Sequence, residues 1–125
     1  MKKLLTLVLI VLLASAAFAG GDKEESASAE AAEITEINCA AIFTAGFESS
    51  WDLSWYESFN RVAAEKPYGL EMTLDYTEAV WGDTAEQVMR EYAETGKYEI
   101  IFATSTYSDQ VGNLRDIYPE ILWVV

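Results

Sequence analysis

Residues 46–59, GFESSWDLSWYESF, set two indoles four residues apart, Trp51 and Trp55, with the carboxylate of Asp52 between them. An aromatic face beside a carboxylate can hold a flat ligand bearing hydroxyl or amine donors, because the ring stacks while the acid accepts hydrogen bonds. Packing is the other use for the same residues. In that reading both indoles fill a core and Asp52 is an early-turn acid favoured by the helix dipole. Trp55 suits packing, one turn further along the stripe, whereas Trp51 and Asp52 stand where a loop becomes a helix.

Composition narrows the remaining chemistry. The chain has no His, so Ser-His-Asp and Cys-His catalysis, a His general base and a His-bearing zinc site are all unavailable. Gly46 and Gly69 form no GxGxxG, and no GxxxxGK[ST] occurs, which leaves no recognised phosphate cradle. Asp75, Glu78 and Asp83 gather around one predicted strand end and read as a solvated acidic loop; no metal or cofactor is expected. Trp81 in that loop reads as packing, with a lobe contact or a ligand lid as the alternative. A carboxylate pair of Asp52 with Glu78 or Asp83 would suit hydrolysis of a glycosidic bond, the alternative to simple binding. Cys39, the single cysteine, has no disulfide partner and reads as a small buried hydrophobe. A net charge of −13 repels phosphate backbones and argues against nucleic acid as a partner.

The elements that must position these residues follow from the patterning. Residues 1–19 show a positive start at Lys2 and Lys3, an apolar run Leu4–Leu13 and a small-x-small end at Ala17–Ala19, the three parts of a secretory signal. Gly20 and Gly21 stand where a lipoprotein signal would carry Cys. The chain is therefore expected to be exported, periplasmic or cell-surface associated. Residues 20–36 are rich in Glu, Ser and Ala and read as a flexible linker.

From 37 to 125 apolar runs and helical stripes alternate. INCAAIFT (37–44) predicts a buried strand. Trp51, Trp55, Phe59, Val62 and Ala63 predict a helix from Ser50 that ends before Pro67 or at Gly69. Leu70, Met72, Leu74 and Tyr76 alternate with polar residues as in a half-buried edge strand. Thr84 and Gln87 make a capping box ahead of the stripe Ala85, Val88, Met89, Tyr92 and Ala93, closed by Gly96. YEIIFAT (98–104) predicts the third strand, Ser108–Tyr118 a helix stopped by Pro119, and ILWVV (121–125) the fourth. Strands alternating with helices imply an α/β fold, a parallel sheet with helices on both faces. With the first strand central the order is 2-1-3-4. Ligands in such sheets sit beyond the carboxyl ends of the strands where the order reverses, here beside the loops Ala45–Ser50 and Thr104–Ser108.

Across Asn38–Val125 the chain resembles the N-terminal lobe of the basic membrane protein family of ABC-transporter substrate-binding proteins, which includes purine nucleoside receptors. The matching stretches are AAIFTAGFESSWD, DYTEAVWGDTAEQVMREYAETGKYEIIFATSTYSD and YPEILWVV. The resemblance implies a truncated type I periplasmic binding protein lobe over 37–125. It also implies a nucleoside-like solute, a membrane permease as partner, and ligand contacts at Phe47, Trp51, Asp52, Ser105, Thr106 and Tyr107. A binding role without catalysis is expected, with a sensory lobe as a variant.

Overall fold

β1 spans Glu36–Ile42, and its side chains pass from exposed Glu36 to fully buried Cys39, Ala40, Ala41 and Ile42. A strand dry on both faces belongs at the centre of a parallel sheet. β1 pairs in parallel with β2 (Glu71–Thr77) on one side and β3 (Ile100–Ala103) on the other, and β3 pairs in parallel with β4 (Leu122–Val124). The order is β2-β1-β3-β4, as the patterning predicts. Helices α1 (Ser50–Ala64), α2 (Asp83–Glu94) and α3 (Ser108–Leu114) connect successive strands. This computed structural model describes residues 33–104 and 106–125, so the predicted signal and residues 20–32 of the predicted linker lie outside the described residues. The folded unit starts at Ile34, inside the span predicted as linker. Thr35 already accepts the Glu71 N–H at 2.9 Å and so belongs to the ladder.

Register sorts the side chains onto two faces. Ala40 and Ile42 of β1 share one face with Ile101 and Ala103 of β3, and Ala85, Met89 and Ala93 of α2 with Val111 and Leu114 of α3 pack there in one buried cluster. The α2 stripe is the one its periodicity predicts. Cys39, Ala41 and Phe43 face the other way with Phe102, and α1 covers part of that face through Trp55 and Phe59.

β1, β3 and β4 are shorter than their apolar runs predict, and two predicted helix boundaries move. The Thr84–Gln87 capping box does not form: Gly82 occupies the N-cap, Thr84 Oγ1 donates to the Trp81 carbonyl and Gln87 turns to Glu91. The third helix stops at Leu114 instead of Tyr118, because the Leu114 carbonyl accepts the N–H groups of both Ile117 and Tyr118 and tightens the chain toward buried Ile121. Among the described residues no helix is long and apolar enough to cross a membrane.

Burial of Cys39, aided by the negative charge of Glu99, pushes its thiol up to about 11. The thiolate is the reactive form, so at pH 8 the native thiol is protonated and shielded. Colorimetric thiol labelling should be negligible in the native protein and rapid after unfolding in urea; fast native labelling would show that β1 opens.

Candidate ligand site at the carboxyl edge of the sheet

The turn after β1 is held by two carboxylates. The N–H groups of Ala45 and Gly46 both donate to Asp52 Oδ2 at 3.0 Å, and the Phe47 N–H donates to Glu78 Oε2 at 3.1 Å. Consecutive amides pointing into one concavity at a helix start form an anion site, and here the chain fills it with its own acids. Ser49 occupies the α1 N-cap but makes no side-chain capping bond. Asp52 is fully buried, and its second oxygen, Oδ1, has no partner among the described residues.

This bonding sets the phase of α1 and corrects the sequence expectation. Trp51 and Asp52 were expected to face the ligand together. Instead Asp52 joins the inward line with Trp55, Phe59 and Ala63, and Trp51 turns out to 71% exposure. Adjacent helical residues point about 100° apart, so with Asp52 inward Trp51 falls on the rim of the stripe, beside Trp55. Trp55 packs as expected: its ring lies edge-on to Phe43 at 5.5 Å and Phe102 at 5.0 Å, and stacks on Phe59 at 5.7 Å. Phe47 goes to the opposite flank, against Tyr56 at 4.5 Å and Tyr76 at 5.1 Å. It therefore shares no surface with Trp51.

The third loop divides likewise. Thr106 is exposed, and Ser105 lies outside the described residues. Tyr107, expected to face the ligand, is only 2% exposed, and its hydroxyl donates to the Val80 carbonyl at 2.6 Å. Burial first, and then the nearby charge of Asp52, push the phenol above its ordinary value. Tyr107 thus braces the loop after β3 to the loop after β2.

Among the grooves left open on the α1 face, one of about 300 Å³ lies at the carboxyl ends of β3 and β4, lined by Trp51, Trp55, Phe102, Thr104, Val124 and Val125; another, of about 280 Å³, runs along Trp55, Phe59, Val62 and Met72. Thr104 also closes the β1–β3 junction, its hydroxyl donating to the Ile42 carbonyl at 2.8 Å. Phe102 and Thr104 were missed from the sequence. Strand alternation carries the signal, because residues 100, 102 and 104 share a face. The loops 43–50, 77–83 and 104–108 contain no Lys or Arg, while Glu48, Glu78 and Asp83 are exposed there. Three of the cations pair elsewhere, Lys66 with Glu71, Lys97 with Asp75 and Arg90 with Glu86. Among the described residues no cluster of three or more His, Cys, Asp or Glu could hold a metal ion. Of the acids considered for hydrolysis, Asp52 and Glu78 are both engaged by loop amides and Asp52 has no exposed surface, while Asp83 is exposed in the first turn of α2. No protein-family model matches the chain, and no curated protein matches its sequence.

Asp52→Ala should strand two amides and cost about 2–4 kcal/mol of stability, with Asp52→Asn milder because it keeps an acceptor; urea denaturation measures both. Gly46 (φ +76°) and Gly69 (φ +79°) share left-handed backbones, but a Cβ at Gly46 would overlap the Glu78 carboxylate, whereas Gly69 has open space. Gly69→Ala should therefore cost about 1–2 kcal/mol for the backbone alone. Gly46→Ala should cost roughly 1 kcal/mol more as the Glu78–Phe47 bond is lost; equal losses would show that this bond contributes nothing.

Proposed function

We propose that this chain is the first lobe of an exported solute receptor that takes a nucleoside or a similar flat, uncharged heterocycle and delivers it to an ABC permease. The observation that carries the reading is the aromatic groove of Trp51, Trp55 and Phe102 with the Thr104 hydroxyl, placed at the carboxyl edge where α/β sheets of this kind bind ligands. The groove is apolar with one polar group at hand, the usual make-up of a small-molecule site. A crevice edge with acids and no cations favours a neutral ring over a phosphorylated one. The resemblance to the basic membrane protein family and the N-terminal signal pattern support the same reading. In a two-lobed receptor the groove would form one wall and a second lobe the other.

Isothermal titration of the full-length protein against purine and pyrimidine nucleosides tests the ligand, and absence of heat with every nucleoside would defeat it. The two indoles should then fail differently. Trp51→Ala should lose about 1–3 kcal/mol of binding, the scale of a base-stacking contact, with little change in melting temperature. Trp55→Ala, which removes a half-buried ring packed on Phe43, Phe59 and Phe102 as well as a wall of the groove, should lose both binding and about 2–4 kcal/mol of stability.

A further inference from the structure

Among the side chains that line the groove over β3 and β4, Thr104 alone carries a hydrogen-bond acceptor; Trp51 and Trp55 offer only indole N–H donors, and the others are apolar. The end of the β1–β3 ladder fixes how Thr104 stands. The last pair of that ladder is Ile42 with Ala103, and the next N–H, that of Thr104, reaches the Ile42 carbonyl only at 3.4 Å. The Thr104 hydroxyl donates to the same oxygen at 2.8 Å and makes the closer bond. Two residues beyond Phe102, it falls on the face of the sheet that meets Trp55.

A hydroxyl has one hydrogen and two lone pairs. A carbonyl only accepts, so the Thr104 hydrogen is committed to Ile42, and what remains for a molecule in the groove is acceptor capacity alone. β-branching leaves the side chain few rotamers. The bond to Ile42 selects among them, which gives the free lone pairs a set direction.

We propose that Thr104 is a specificity-determining residue of this site, accepting a hydrogen bond from an N–H or O–H group of the ligand. This rests on the reading of the groove as a heterocycle site, and it narrows the ligands to those with a donor at the end of β3. A ring nitrogen or carbonyl placed there would meet Thr104 lone pair to lone pair, and a site built to accept in this way discriminates against an analogue that lacks the donor.

Titration calorimetry on the full-length protein compares nucleosides with analogues that each lack one donor: adenosine with purine riboside, inosine with 1-methylinosine, and adenosine with its 2′-deoxy and 3′-deoxy forms. Wild type should bind at least one parent about tenfold more tightly than the matching analogue, the scale of one neutral hydrogen bond. Thr104→Val, which keeps the shape and removes the hydroxyl, should bring that ratio to about one, and Thr104→Ser should restore most of it. If Thr104→Val weakens parent and analogue alike and leaves the ratio unchanged, Thr104 only holds the β1–β3 junction and the inference is overturned. Wild type that binds every parent and analogue within about twofold of each other overturns it without any variant, whether or not Thr104→Val folds, and leaves the receptor reading standing. If no nucleoside or analogue gives heat with wild type, the receptor reading falls and the inference with it.

Discussion

The buried carboxylate of Asp52 sits where β1 becomes α1, and the layout of the carboxyl edge follows from it. A buried carboxylate is costly unless hydrogen-bonded; the amides of Ala45 and Gly46 satisfy Asp52 Oδ2 and the first turn of α1 favours an acid there, while Oδ1 has no partner among the described residues. Once Asp52 points inward, the helix has one phase. Trp55 must then lie on the sheet, Tyr56 must lean toward β2, and Trp51 must stand out toward β3 and β4.

The two faces of the sheet use different packing. Between the sheet and helices α2 and α3, small side chains such as Ala40 and Ala103 of the strands and Ala85 and Ala93 of α2 pack with the larger Met89, Ile101 and Leu114. On the α1 face Phe43 is the hub, edge-on to Phe47, Trp55 and Tyr76. Among the described residues α1 is the one helix on this face, and it leaves side chains of β3 and β4 uncovered. The groove is that uncovered part.

Hydrogen bonds between the loops give this edge its rigidity. Phe43 donates to the Thr77 carbonyl, Val80 to the Phe43 carbonyl and Tyr107 to the Val80 carbonyl, while Glu78 receives the Phe47 amide. Each loop borrows a partner from another, so the three form one braced surface. Preorganisation of that kind lowers the ordering cost of binding.

Sequence periodicity alone determined the elements and their arrangement. The apolar run from Cys39 to Phe43 marks the central strand, the alternation of Leu70 to Tyr76 marks an edge, and the stripe from Ala85 to Ala93 marks the helix that covers one face. These features are local, because burial repeats with the period of the element that carries it. The tertiary structure decided the rest. Whether Asp52 met a ligand or the backbone depended on where the Ala45 and Gly46 amides came to lie, and whether Tyr107 faced the crevice or the core depended on a carbonyl from the loop after β2. The groove joins α1 to the ends of β3 and β4, residues about fifty to seventy positions apart. A polar side chain's role is set by the partner it finds, and that partner comes from another part of the chain.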